Sequence, residues 1–291
     1  MATDLQTCPL CASPQQAFWG ETSGQITLHD RWHRCFDCGV LFANPVKTSE
    51  EVAAFYRDQF YDINQLETDP SAMLPLYSWL AELSLGFKPD LQDVLEIGCG
   101  RGGFLSYLSQ QTKLRSASGV EFDKRVTDRI QLPCTQKFYN DYFERLNFPQ
   151  KFDAIFAWHV IEHVFDVNAF VKKIHDDLQP GGIVVIGTPA FGWFHGLKAR
   201  LQRFLGRRVT VGTSSDHTYF FSSPILSQIF RRNGFEVLHQ RVYLDNINGE
   251  LDFKQHALKA SILTLISWIM KISRLPLFGK QILIAQKAVR V

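Results

Sequence analysis

The sequence predicts an α/β fold: a mostly parallel sheet of seven strands with helices on both faces, preceded by a small β-hairpin module carrying two cysteine pairs. Three observations lead there. From Leu91 onward, short apolar runs alternate with segments of helical period, the pattern of strands buried on both faces and joined by helical crossovers. The first run ends in a glycine-rich loop, Gly98-Cys99-Gly100-Arg101-Gly102-Gly103. Residues 1–45 hold Cys8-Pro-Leu-Cys11 and Cys35-Phe-Asp-Cys38, with no comparable pair afterwards.

Two C-x-x-C pairs suit a tetrahedral zinc ion, because a two-residue spacer lets both thiolates of a pair reach one ion about 2.3 Å away. Cys8, Cys11, Cys35 and Cys38 are therefore expected to hold structural Zn2+, with no coordination position left open for catalysis. Two disulfides or a thiol redox pair are the other readings. Strand-like runs at Gln15–Trp19 and Gln25–Leu28, joined by a turn at Gly20–Gly24, form the hairpin, and Gly39 supplies a left-handed residue after the second pair. Residues 1–45 thus read as a zinc ribbon ending at the Asn44-Pro45 turn. Residues 46–90 read as a helical linker or lid, with helical spacing over Glu50–Tyr61 and Ala72–Leu85 and a break at Lys88-Pro89-Asp90.

Residues 91–291 form the main domain. Leu91–Ile97 is the first strand, and Gly103–Gln110 starts a helix. Ala117–Glu121, Lys137–Tyr139, Ala154–Trp158 and Ile183–Gly187 are the next four strands. Asp166 caps a helix expected to run to Leu178 and stop at Pro180-Gly181-Gly182. Ser223 caps, and Pro224 opens, a helix ended by Gly234. Strands at Glu236–Leu244 and Gln281–Ala288 complete the seven, and insertions occupy 191–216 and 251–280.

The chain has 291 residues and a formal charge of +2, with 45% hydrophobic and 21% charged residues. That composition excludes a largely disordered chain, and the near-neutral balance argues against a nucleic-acid acceptor, which calls for a basic footprint. Residues 1–6 show no export signal, and the most apolar segment, Ala257–Met270, carries Lys259 and is followed by Lys271. It falls short of the about 18–20 apolar residues a membrane span requires. The expected location is cytoplasmic.

The glycine loop points to chemistry. Its glycines let the backbone approach a ligand at the first strand–helix turn of an open sheet. Glu96 stands two before the first glycine, where a carboxylate is held at the crevice. Glu121 ends the second strand about 20 residues on, where an acid accepts both hydroxyls of a ribose. The sheet is therefore expected to be Rossmann-like.

On these residues the sequence resembles the class I S-adenosylmethionine-dependent methyltransferases; nicotinamide dehydrogenases usually have G-x-G-x-x-G and no acid two before the first glycine. The resemblance spans Leu91 to Ala288. Phe152-Asp153-Ala154-Ile155, His159-Val160-Ile161-Glu162-His163, Leu178-Gln179-Pro180-Gly181-Gly182, His217–Ser222 and Gly234-Phe235-Glu236-Val237 match further blocks. It implies S-adenosyl-L-methionine as cofactor, with Gly98, Gly100 and Gly102 along its methionine part, Glu121 on the ribose and Phe122 beside the adenine. Asp141 is a candidate for the adenine amino group, although Tyr139-Asn140-Asp141-Tyr142 departs from the family's usual Gly-Asp. Glu96, Cys99 and Trp158 complete the cofactor set, and Tyr61 or Tyr56 is a candidate lid residue.

A sulfonium methyl is already electrophilic, so the protein must align the acceptor and, for a hydroxyl, take its proton. His159, Glu162, His163 and His217 are the ionisable residues at the carboxyl ends of the fourth and fifth strands. His159 and His163, four apart, would share a face of a helical turn and could hold a divalent ion. Quinone-pathway O-methyltransferases have a similar carboxylate-x-x-Glu-His segment, with His159 here replacing the first carboxylate. The alternative is that Glu162 and His163 satisfy buried backbone groups, with His159 or His217 as base. The chain lacks an Asp/Asn-Pro-Pro-Tyr/Phe segment after the fourth strand, a Pro-Cys at that strand end, and a C-x-x-x-C-x-x-C radical motif.

Over Trp193–Arg208, Phe194, Leu197, Leu201, Phe204 and Leu205 share one helical face, with Arg200, Arg203 and Arg207 opposite. This segment reads as a helix for a membrane surface or an anionic lipid-linked substrate, or as a lid packed on the body. Residues 257–270 read as a core helix, a homodimer interface or a membrane-seeking helix. The arrangement looks like a bacterial subfamily associated with cell-surface glycan or secondary-metabolite synthesis. The expected activity is O-methylation of a sugar, lipid-linked glycan or quinone-like small molecule. A zinc-ribbon RNA methyltransferase and an inactive cofactor-binding scaffold are the alternatives. Sugar C-methyltransferases share a four-cysteine site but carry a further C-terminal domain, for which this chain is too short.

Overall fold

The computed structural model describes residues 3–22, 28–48, 50–52, 54–55, 73–211, 216–243 and 279–288. In chain order they form β1 (Gln16–Glu21), β2 (Arg31–Cys35), β3 (Leu41–Ala43), α1 (Leu74–Phe87), β4 (Asp93–Ile97), α2 (Gly103–Gln111) and β5 (Ser116–Val120). There follow α3 (Lys124–Thr127), β6 (Thr135–Tyr139), β7 (Phe152–Trp158), α4 (Val167–Asp177), β8 (Leu178–Ala190) and α5 (Trp193–Phe204). Last come β9 (Tyr219–Phe220), α6 (Ser223–Arg232), β10 (Phe235–Tyr243) and β11 (Gly279–Lys287).

The large sheet has seven strands in the order β10-β11-β8-β7-β4-β5-β6. β4 to β8 pair in parallel, and β11 enters antiparallel between β8 and β10. The expected Rossmann-like sheet is therefore present. β4 and β5 are buried throughout, as strands covered on both faces are, and β4 carries the buried carboxylates Asp93 and Glu96 among its apolar residues. The chain lays β5 and β6 to one side of β4, then returns to place β7 and β8 on the other. A crevice consequently forms at the carboxyl ends of β4 and β7, where the strand order reverses.

Polar residues fix this frame at its base. Asp153 accepts the backbone N–H groups of Gln92 and Asp93, each at 2.9 Å, so the Phe-Asp that opens β7 also anchors the start of β4. Asp166 caps α4 by accepting the Ala169 N–H at 2.9 Å. Val167, Phe170, Val171 and Ile174 of that helix are buried, the i, i+3, i+4, i+7 stripe of a helix on a sheet.

Several boundaries differ from expectation. α4 ends at Asp177, and Pro180-Gly181-Gly182 lies inside β8. The excursion is visible in the register, where Leu178 pairs with Phe152 but Ile183 with Ala154; Gly181, at φ +73°, makes the bend. Ser222, not Ser223, is the residue before α6, because Ser222 is still extended and Ser223 already helical. β1 pairs with Arg31–Cys35; of the expected Gln25–Leu28 strand, residues 25–27 lie outside the described residues, as do most of Glu50–Tyr61 and all of 251–278. No helix among the described residues is long and apolar enough to cross a membrane.

The small sheet, β1-β2-β3-β9, is antiparallel and joins the two ends of the chain's architecture. β9 belongs to the main domain, yet Phe42 pairs with Tyr219 and Leu41 with Phe220. Trp32 is buried against Phe220 with ring centroids 4.7 Å apart. Cys8, Cys35, Val40 and Phe42 share one apolar cluster with Tyr219, Leu226 and Ile186. The cysteine module is thus packed onto the main sheet as part of its core.

Candidate active site and cysteine cluster

At the carboxyl ends of β4 to β7 the structure forms a cavity of about 560 Å³. Gly98, the first residue of the glycine loop, lines it. Gly98, Gly100 and Gly102 have φ of +70°, +48° and +67°, conformations that strain any side-chain-bearing residue. A Cβ at Gly98 would also lie 2.7 Å from Val160, and one at Gly102 2.9 Å from Ile130. The loop therefore packs closely against the turn after β7 on one side and the segment after α3 on the other.

Glu121, the first residue past β5, closes this loop. Its carboxylate accepts the Gly100 N–H at 3.0 Å and the Asp123 N–H at 3.2 Å. Glu96 lies behind it, buried, with Oε2 lacking a hydrogen-bond partner among the described residues. Burial, and then the negative charge of Glu121, push the Glu96 carboxyl up to about 8. A buried, partnerless carboxylate oxygen beside a second carboxylate is a place that stabilises a cation. Phe122 is half exposed at the cavity wall, edge-on to Tyr142 at 4.4 Å. Asp141 also lines the cavity and accepts the Tyr142 N–H at 2.7 Å.

Cys99 and Trp158, both expected at the cofactor, turn away from the cavity. The Cys99 sulfur lies 2.5 Å from where a Gly119 Cβ would stand, and the Trp158 ring 2.1 Å from where a Gly187 Cβ would stand. Both join the apolar cluster beneath α1 and α2. Strand alternation explains Trp158, which points opposite to Ala157. Tyr61 and Tyr56 lie outside the described residues.

After β7 the expected helical turn does not form. His159 is left-handed at φ +55°, its N–H donating to the Gly187 carbonyl at 2.9 Å, and Ile161 to His163 make a turn. His159 and His163 therefore do not share a helical face as a metal pair. His159 Nδ1 instead lies 2.8 Å from Glu162 Oε1, and Thr188 donates to Glu162 Oε2 at 2.9 Å. Burial alone would raise the Glu162 carboxyl, but the His159 hydrogen bond and the fields of His163, His159 and His217 hold it at about 2. An ionised Glu162 accepts a hydrogen bond from His159 Nδ1–H, which turns Nε2 toward an acceptor's proton. His159 and His163 line the cavity.

His163 Nδ1 lies 3.1 Å from the Asp216 carbonyl oxygen, and its ring is 4.9 Å from His217. His217 is buried, its Nδ1 has no hydrogen-bond partner among the described residues, and burial pushes its imidazole down to about 4. It does not line the cavity. The ligand atoms of Glu162, His163 and His217 lie within 4.8 Å of one another.

Three residues at this site were not singled out from sequence. Tyr142 and Asp216 line the cavity, and both sit beside residues that the motifs mark. His29, from the loop between β1 and β2, is buried with neither ring nitrogen hydrogen-bonded among the described residues. Burial and then Lys47 push it down to about 4, while Asp216 pulls the other way. No local signal marks it, because its neighbourhood is made by the packing of the small sheet on β9.

The four N-terminal cysteines converge as expected. Their sulfurs all lie within 4.8 Å of one another, with Cys8–Cys38 at 3.7 Å and Cys11–Cys35 at 3.6 Å. A tetrahedron of thiolates about 2.3 Å from zinc has edges of about 3.8 Å, so the donor set fits that ion. Each pair turns back on itself: Ala12 N–H donates to the Cys8 carbonyl and Gly39 N–H to the Cys35 carbonyl, with φ of +58° and +81°.

Comparison with known proteins bears on this arrangement. The (S)-coclaurine N-methyltransferase of Papaver somniferum is 26% identical over 143 residues, covering 47% of this chain and 38% of that protein. The ubiquinone biosynthesis O-methyltransferase of Bradyrhizobium diazoefficiens is 30% identical over 105 residues, covering 34% and 41%. The chain spans between 38% and 55% of the length of these relatives and of the malonyl-[acyl-carrier protein] O-methyltransferase of Priestia megaterium. Among solved structures, the Burkholderia thailandensis 1,6-didemethyltoxoflavin-N1-methyltransferase with bound S-adenosylhomocysteine shares the fold. Its TM-score is 0.56 at 16% identity, covering 87% of this chain and 97% of that one. A chain of the complex between the Haloferax volcanii Trm112 methyltransferase activator and a methyltransferase does so at 0.54 and 16%, covering 76% and 94%. Residues 70–240, more than half of the sequence, match the model of the methyltransferase domain family, and the chain belongs to that family.

Proposed function

We propose that this chain is an S-adenosylmethionine-dependent methyltransferase acting on a hydroxyl of a sugar, lipid-linked glycan or quinone-like small molecule. The observation that carries the reading is the pair Glu96 and Glu121 at the glycine loop, one carboxylate buried with an oxygen that has no hydrogen-bond partner among the described residues and one on the loop's backbone. Such a pair suits a ligand with a cationic end and a ribose. Glu96, Gly98, Gly100 and Gly102 would hold the methionine end, Cys99 through its backbone alone, Glu121 the ribose hydroxyls, and Phe122 with Tyr142 and Asp141 the adenine. When bound, the cofactor supplies an electrophilic methyl group.

The chain's own contribution is at the other end of the cavity. His159 Nε2 takes the acceptor's proton, Glu162 fixes the ring's tautomer and orientation through Nδ1, and Thr188 fixes Glu162. His163 and His217 shape the acceptor side. Cys8, Cys11, Cys35 and Cys38 hold a structural zinc that keeps residues 1–45 docked on the main domain of residues 91–291, with 46–90 linking them. The match to an O-methyltransferase of ubiquinone biosynthesis supports the acceptor class, and the charge of +2 disfavours RNA. A cytoplasmic protein is the corresponding location.

Calorimetric titration with S-adenosylhomocysteine tests the cofactor assignment. The wild type binds one equivalent, and Glu121→Ala loses measurable binding. Undiminished affinity in that variant overturns the ribose role of Glu121.

A further inference from the structure

We propose that α5 is a docking surface for an anionic lipid bilayer. Phe194, Leu197, Leu201, Phe204 and Leu205 form one stripe along it and are between 44% and 87% exposed. Single exposed apolar side chains are ordinary on a protein surface; a continuous row of five is not. The helix meets the body with its small and polar side. Ala199 is buried, Arg203 lies over the Trp19 ring at 4.6 Å and donates to the Trp19 carbonyl at 3.0 Å, and Gln202 donates to Thr210 Oγ1 at 3.0 Å. A helix serving the core would present the opposite face inward. The apolar stripe of α5 thus faces away from the body.

Charge complementarity identifies the occupant. Residues 192–215 contain Lys198, Arg200, Arg203, Arg207 and Arg208 and no Asp or Glu. Arg203 is taken up by Trp19 and Arg208 pairs with Glu21 at 3.3 Å, which leaves Lys198, Arg200 and Arg207 as the cations that an interfacial helix presents to anionic headgroups while its apolar stripe meets acyl chains. Position agrees: α5 leaves the carboxyl end of β8, the same edge of the sheet at which the cavity opens. The surface stands on these observations. Its consequence, that an acceptor with a lipid tail enters the cavity from the bilayer, rests on the methyltransferase reading above.

The test is flotation of the full chain with vesicles of phosphatidylcholine containing phosphatidylglycerol, and with phosphatidylcholine alone. Binding to the anionic vesicles, weakened by salt and reduced about tenfold or more by combined Leu201→Glu and Phe204→Glu, supports the surface. Because both side chains are exposed, that variant keeps the wild-type affinity for S-adenosylhomocysteine. Absence of binding to anionic vesicles overturns the proposal, as does equal binding to neutral ones. Undiminished binding by the variant also overturns it and points to another segment, 257–270 foremost. A lipid-free dimer that the variant dissolves makes a second copy the occupant and equally overturns it. Vesicle binding by a chain that takes up no cofactor supports the surface and contradicts the enzymatic reading instead.

Discussion

Glu96→Gln isolates the electrostatic feature on which the cofactor assignment depends. In the folded chain, burial and Glu121 raise the Glu96 carboxyl from an ordinary 4.5 to about 8. Below about pH 4.5 the carboxyl is neutral folded and unfolded, so the wild type and the variant should have nearly equal stability. Between 4.5 and 8 the folded state binds the extra proton, and stability therefore falls as pH rises, the deficit being complete above about 8. At about 1.4 kcal/mol per pH unit the ceiling is about 5 kcal/mol. Local relaxation lowers it, and about 2 kcal/mol is expected, or about 3–4 °C in Tm for a chain of this size. Thermal unfolding of the cofactor-free protein at pH 4.5, 6.5 and 8 measures it. Glu96→Gln should gain over the wild type progressively with pH, while losing about tenfold or more in affinity for S-adenosylmethionine. A stability difference independent of pH, or a variant less stable at pH 8, would show that Glu96 is not held protonated by burial and Glu121.

The other predictions concern the zinc site and the acceptor side. Purified protein should carry about one zinc per chain, measured by atomic emission. Cys35→Ser should lose it together with stability, since Cys35 shares a core cluster with Tyr219 and Leu226; a folded, metal-free wild type contradicts this. His159→Ala should lower kcat by about 10²- to 10⁴-fold without changing S-adenosylhomocysteine affinity. His217→Ala should lower turnover less, because its ring does not reach the cavity wall; a larger loss there reassigns the base. Glu162→Gln should reproduce most of the His159→Ala loss in kcat with little change in KM, since it acts through the orientation of His159.

The strands from Leu91 onward were legible because burial on both faces writes itself as apolar runs, and the glycine loop because its backbone admits few residue types. Side-chain direction at the loop's edges was not. Cys99 and Trp158 neighbour cavity residues in sequence but point to the other face of the sheet. The four-residue spacing of His159 and His163 suits a helical turn, and nothing local announces the left-handed His159 that breaks it. The second hairpin strand, Arg31-Trp32-His33-Arg34-Cys35, hides because only Trp32 and Cys35 of its residues are buried. Its pairing partner β3 completes the small sheet with β9, far along the chain. That long-range pairing is also what buries His29, which explains why no motif pointed to it.

Methyl transfer to a small hydroxyl-bearing acceptor can be read from radiolabelled S-adenosylmethionine incubated with the protein and fractionated cell extract. Label is expected in the lipid or small polar fraction and should be lost in His159→Ala. Label confined to RNA, or no label from a protein that binds the cofactor stoichiometrically, contradicts it.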